Sequence, residues 1–249
     1  MSIIEIKKKS LKFNKNQYTK SALISLFYIV LVVFASTIPY FAVKLSNEYD
    51  LNSIIIIPIS ALIFLIFTLL TSSYFIGEKA WYAGLSSKNK AGIRRFFFWF
   101  RPAYSLKAFC LKLVLFFVKL FWTLLLNIPA TVLLFTSVLL CMTGGIEPVI
   151  FASLLSGSLI MLVVGSVFAF IINQRYFLAE YLYLTNPKLK ILQAVRQSKN
   201  LLDGHLFEVV IFKLSFIPAL LLYLLVIPAL FIHPYYKQSC CLVAKELYL

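Results

Sequence analysis

A chain of 249 residues that is 61% hydrophobic and only 13% charged carries more apolar surface than a water-soluble domain of that size can cover, because soluble helices and strands alternate apolar and polar faces. The formal net charge of +15 would suit nucleic acid on a soluble surface, but the placement of the cations along the chain argues against that partner. The four cysteines, Cys110, Cys141, Cys240 and Cys241, lack metal-ligand spacing and read as small apolar fillers.

Residues 1–20 form a basic arm with Lys7, Lys8, Lys9, Lys12, Lys15 and Lys20. It precedes the first of five stretches free of Lys, Arg, Asp and Glu: 21–43, 51–77, 120–146, 148–174 and 214–236. Roughly 20 apolar residues in a helix cross the ~30 Å hydrocarbon core of a bilayer. Backbone groups in hydrocarbon must be satisfied within the segment, so helices are expected, and no alternating barrel strands are present. The expected fold is an all-α polytopic transmembrane helical bundle of five or six spans. Spans are placed at about 21–44, 51–77, 116–143, 148–174 and 207–228. Residues 231–249 either return as a sixth span or form an external tail or interfacial helix, and Lys237 makes the return costly unless it faces protein. Residues 21–249 read as a single integral membrane domain.

Lys and Arg crowd alternate connections. Lys79, Lys88, Lys90, Arg94, Arg95, Arg101 and Lys107 lie between the second and third spans, and Arg175, Lys188, Lys190, Arg196 and Lys199 follow the fourth. The other connections, 44–50 and 144–147, hold few charges. This is the positive-inside pattern, and it places the N-terminal arm in the cytoplasm of a cell-membrane protein.

Aromatic residues interleave with cations in Arg94-Arg95-Phe96-Phe97-Phe98-Trp99-Phe100-Arg101, a composition suited to the headgroup layer. The stretch 105–143 reads as one long helix, in which Lys112 and Lys119 share a face and can snorkel to the cytoplasmic surface. In the fourth span Ser153, Gly157, Gly165 and Ala169 predict a close packing seam. Asn186-Pro187 predicts the start of an amphipathic helix over 187–203, with Ile191, Ala194, Val195, Ser198, Leu201 and Leu202 on its apolar face and Gly204 closing it. Such interfacial helices are expected on the cytoplasmic side.

No catalytic, metal or cofactor motif stands out. His205 and His233 fall on opposite sides of the expected topology, and the few carboxylates are scattered. Glu180 is expected to pair with Arg175 or another inside cation. Glu208 and Lys213 read as interface anchors. An enzyme is the least supported class. The leading reading is a non-catalytic membrane protein whose basic inner surface engages anionic lipid or a membrane-protein partner. Its headgroup contacts are assigned to Arg94, Arg95, Trp99, Arg101, Lys188, Arg196 and Lys199. A transporter or permease subunit is the alternative, with Asn127 and Lys237 as polar residues near mid-depth.

The C-terminal third adds a resemblance. The stretch Arg175-Tyr176-Phe177-Leu178-Ala179-Glu180-Tyr181, then Asn186-Pro187, Gln193-Ala194-Val195-Arg196-Gln197-Ser198-Lys199 and Asp203-Gly204-His205, resembles the domain-of-unknown-function 975 family of bacterial membrane proteins. Leu214-Ser215-Phe216-Ile217, His233-Pro234-Tyr235-Tyr236 and the run from Trp122 to Pro129 extend the likeness. The resemblance implies a multi-pass membrane protein of unknown role. It implies a mostly Firmicute range and a distant similarity to the membrane domains that precede some glycerophosphodiester phosphodiesterases. The insertion of 130–172 between the Ile-Pro run and the Tyr-rich motif departs from the family's usual spacing.

Overall fold

The computed structural model describes residues 2–15, 17–49, 53–86, 92–144, 147–222 and 225–248. Every element among them is a helix. In chain order these are α1 (Ile3–Lys15), α2 (Tyr18–Tyr49), α3 (Ser53–Leu85), α4 (Arg94–Phe97), α5 (Pro102–Met142), α6 (Pro148–Asn173), α7 (Ala179–Thr185), α8 (Ile191–Leu202), α9 (Leu206–Leu214), α10 (Ile217–Leu221) and α11 (Val226–Tyr248). Of the residues placed above in connections, Lys88, Lys90, Asp50, Gly145 and Ile146 lie outside the described ones.

Among the described residues three stretches are long and apolar enough to cross a membrane: Pro58–Leu85, Pro102–Met142 and Pro148–Thr185. A fourth candidate joins Ile3–Phe13 to Tyr18–Phe34 across a bend of 97°. The most apolar window of Pro102–Met142 is only 11% buried within the protein. Phe116, Phe121, Leu124, Val132 and Phe135 all point outward from α5. Water would penalise such a surface, and hydrocarbon would not.

The contacts divide the chain into two compact units. The first comprises residues 1–112, 180–189 and 211–249. In it α11 packs on α1, α2 and α3, and α4 docks on α3. Ile6 of α1 is buried, and Ser10 donates to the Tyr235 carbonyl at 3.0 Å. Within this unit the basic arm is thus a packed helix. The region expected as a span over 207–228 is interrupted at Ser215 and Phe216. Pro218 has no N–H to offer the preceding turn, which favours a break there, although α3, α5 and α11 each run through a proline. The Ser215 carbonyl accepts from Lys7 Nζ at 3.1 Å, and that ammonium also lies 4.4 Å from the centre of the Phe216 ring.

The second unit comprises residues 113–179 and 190–210. Its seam forms where α5 meets α6. Gly165 and Ala169 are buried, together with Ser158. A Cβ at Gly165 would lie 2.8 Å from both Asn127 Oδ1 and the Leu126 carbonyl oxygen. The seam expectation holds at these two small residues, while Gly157 faces open space. Gly165→Val is expected to destabilise by about 1–3 kcal/mol through overpacking. Gly157→Val should shift unfolding little. Thermal unfolding in detergent checks both, and equal losses would refute the seam.

After α6 the chain tightens at Gln174–Tyr176 and continues into α7. Trp122 Nε1 donates to the Tyr176 hydroxyl at 2.9 Å, and Asn173 Nδ2 donates to Thr123 Oγ1 at 3.2 Å. The amphipathic helix begins at Ile191, later than Asn186-Pro187 suggests. Asn186 and Leu189 close a separate turn, and Lys190 caps α8, its N–H held by Gln193 Oε1 at 3.2 Å. Ala194, Val195, Ser198 and Leu202 are its buried face, and Ser198 donates to the Arg175 carbonyl at 2.8 Å. Gly204 follows with φ +95°, a conformation that favours glycine.

Candidate functional site

The first unit holds two features that a passive bundle does not require: a buried network of charges and a basic cavity. The network is organised by α3. Tyr74 and Glu78 are four residues apart on one stripe of the helix, and Phe75 and Lys79 form the adjacent stripe. Glu78 is fully buried. His233 Nε2 of α11 lies 2.5 Å from its Oε1, and Lys237 Nζ, one turn further along α11, lies 2.9 Å from its Oε2. Tyr74 donates its hydroxyl to the Ile24 carbonyl at 3.1 Å and lies 3.5 Å from Glu78 Oε1.

Glu180, at the start of α7, is also buried. It pairs with Lys79 of α3, and its other oxygen accepts from Lys112 of α5 at 2.7 Å. The two acid centres meet at Phe75. Lys112 Nζ lies 4.8 Å from the centre of that ring, and Lys237 Nζ lies 5.6 Å from it. An ammonium near a ring face is attracted by the ring quadrupole, the more so when desolvated. Two carboxylates thus hold three lysines and a histidine, tying α3, α5, α7 and α11 together inside one unit. Buried charges persist only when paired and hydrogen-bonded, and here each carboxylate has two basic partners.

Several expectations are redistributed by this arrangement. Lys237 does face protein. Lys112, expected to snorkel, reaches Glu180. Glu180 takes Lys79 and Lys112 as partners, not Arg175, whose backbone carbonyl holds Ser198. Asn127 turns its amide to the Thr123 carbonyl at 2.8 Å and its oxygen toward Gly165 and Ser166. His205 lies 3.1 Å from Glu208 on an exposed turn of the second unit, and His233 belongs to the first. Among the described residues no group of three or more His, Cys, Asp or Glu could hold a metal. Sequence reasoning passed over Glu78 altogether. A signal existed: Glu78 closes the apolar run 51–77 and Lys237 closes the run 214–236, and an acid and a base that are each costly to bury alone remove each other's cost.

The cavity lies where α3 ends. Its volume is about 630 Å³. Arg94, Arg95 and Lys245 supply three cations to its lining, and Trp99, Phe98, Leu184 and Pro187 supply apolar walls. Among the described residues no Asp or Glu lines it. Arg94 and Arg95 reach it because α4 sits directly on α3. Gly77 has no side chain, and a Cβ there would lie 2.6 Å from the Phe96 carbonyl oxygen. Phe96 is buried, with its ring 5.7 Å from Tyr74 and 5.3 Å from Phe100. Trp99 is buried too, edge-on to Tyr104 and 6.3 Å from Tyr183. The aromatic run expected to float in the headgroup layer is therefore in part the anchor that fixes its own arginines.

Of the residues assigned to headgroup contact, the cavity gathers Arg94, Arg95 and Trp99. Arg101 is exposed and lies 5.3 Å from the Phe98 ring, and Lys188 is exposed on the turn after α7. Arg196 and Lys199 are exposed on α8, in the second unit. Lys245 was not among the assigned residues, since nothing in a sequence shows that the end of α11 returns to the turn at 94–95.

The model of one protein family, described as "Protein of unknown function (DUF975)", matches residues 1–243. No curated protein and no solved structure matches the chain.

Proposed function

The chain belongs to the DUF975 family, whose description assigns no activity, and from that premise we propose that it is a non-catalytic, multi-pass integral membrane protein that holds anionic lipid at its inner surface. The observation that carries this reading is the cavity with Arg94, Arg95 and Lys245 in its lining and no Asp or Glu among the described residues there. It opens at the end of Pro58–Leu85, one of the three helices apolar enough to cross a membrane. The end of a span lies at headgroup depth, where cations attract anionic lipid by about 1 kcal/mol each.

In this reading the N-terminus is cytoplasmic in the cell membrane, and the basic connections 78–115 and 175–206 lie inside. Lys245 of α11 shares the cavity with residues that follow α3, which supports a C-terminus on the same side and an even number of crossings. Reporter fusions after residue 145 and at the C-terminus test that topology.

Native mass spectrometry of the full chain, extracted with its surrounding lipid, tests the function. Arg94→Gln, Arg95→Gln and Arg101→Gln made together should cut retained anionic lipid several-fold. Unchanged lipid content in the triple variant overturns the proposal. A co-purifying membrane-protein partner that leaves with the same three charges would assign the surface to protein instead.

A solute-transport reading draws on one observation, the buried Glu78–His233–Lys237 cluster, because ionisable groups at membrane depth often mark pathways. A flux through liposomes that Lys237→Met abolishes in a folded protein would favour it.

A further inference from the structure

We propose that the cavity after α3 selects a terminal phosphate monoester, and that its physiological source is a lipid whose headgroup is that bare phosphate. The proposal rests on the anionic-lipid reading and narrows it to one headgroup chemistry.

The argument starts from the contrast between two sets of cations in the same unit. Lys79, Lys112 and Lys237 are each paired with a buried carboxylate. Arg94, Arg95 and Lys245 form no ion pair among the described residues. The positive-inside rule explains a surplus of cations on this face but not their convergence. Arg94 and Arg95 come from a turn fixed by Phe96 and Gly77, and Lys245 comes from the last turn of α11. Three positive charges then line one cavity, with no Asp or Glu among its described lining residues.

The count of charges decides the ligand. A phosphodiester headgroup brings one negative charge, and a phosphate monoester brings ≈ −1.5 to −2 with three strong acceptor oxygens. Arginine forks match those oxygens two at a time, and lysine adds a point charge. Thr185 also lines the cavity, but its hydroxyl donates to the Tyr181 and Leu182 carbonyls at 3.2 and 3.0 Å, so the cations carry the contact. The walls of Phe98, Leu184 and Pro187 suit the apolar remainder of a lipid, and a small hydrophilic phosphate has no use for them. The volume of about 630 Å³ falls in the range of ligand pockets.

The test uses the full chain in nanodiscs of zwitterionic lipid. Three probes are added in turn: a diacylglycerol phosphate, a phosphodiester lipid with a single negative charge, and soluble glycerol phosphate. Bound lipid is counted by native mass spectrometry. The monoester lipid should bind about five- to tenfold more tightly than the diester, since one additional charge is engaged at a surface site. Lys245→Met should erase that preference, and Lys245→Arg should keep it. Arg94→Gln with Arg95→Gln should lower binding of both lipids. These two residues are exposed, so the second variant reports on the site even if Lys245→Met folds poorly.

Equal binding of the two lipids overturns the monoester site while leaving the anionic-lipid reading in place. Binding of neither lipid overturns both. Competition by glycerol phosphate at the lipid's own concentration overturns the lipid source and assigns the site to a soluble phosphate. A preference that survives Lys245→Met overturns the role of the third cation.

Discussion

Replacing Glu78 by Ala should lower the stability of the folded protein by about 3–5 kcal/mol, the usual cost of leaving a buried charge without its partner. The carboxylate is fully buried and serves Lys237 at 2.9 Å and His233 at 2.5 Å. Without it both basic side chains lose their carboxylate inside the unit, and the Lys237 side chain is only 18% exposed. Its nearest remaining neighbour described above is Phe75, 5.6 Å from the ring centre, and a ring face replaces only part of an ion pair. The companion experiment removes both ends. Glu78→Leu with Lys237→Met should recover most of the loss, because apolar groups of similar volume commonly do as well as the buried pair they replace. Unfolding by detergent titration of the purified protein measures both variants. A double variant no more stable than Glu78→Ala would show that the pair does more than cancel its own desolvation.

Glu180→Ala should be the second most damaging change, at about 1–3 kcal/mol. It deprives two lysines of their carboxylate, yet the cost is smaller than at Glu78. Glu180 is 6% exposed where Glu78 is wholly buried, and the Lys112 side chain, 27% exposed against 18% for Lys237, can turn its ammonium outward on a flexible stem. That escape is itself measurable. Amine-reactive labelling of Lys112 should rise in the variant while Lys237 stays protected. Unchanged labelling of Lys112 would mean that it keeps its position without Glu180, and the ion pair would then not be what places it.

Much of the fold was legible because hydrophobic runs carry their own length scale. The stretch read as 105–143 is α5, and the runs read as 51–77 and 148–174 are the cores of α3 and α6. Gly165 and Ala169 were legible as a seam because small residues matter only where backbones approach. The break at Ser215–Phe216 was hidden, since its stabilising partner, Lys7, lies at the far end of the chain. The start of α8 was misplaced for a related reason. Asn186-Pro187 is a sound local signal, but the turn it makes ends before the helix begins. For the candidate site, Arg94, Arg95 and Trp99 could be named from composition and order alone. Lys245, Glu78 and the partners of Glu180 could not, because each depends on which helices stand side by side. An apolar helix looks alike from every direction in sequence, so its neighbours leave little trace there.

The distance along the chain between Glu78 and His233 has a consequence for synthesis. The two are separated by 155 residues, which a ribosome adding ~5–20 residues per second spans in roughly 8–30 s. Throughout that interval the nascent α3 carries an acid whose imidazole and ammonium do not yet exist. Completion of the first unit therefore waits on the arrival of α11. A chain halted before residue 233 is left holding an acid without either of its basic partners, a chemical mark by which an unfinished product differs from a finished one.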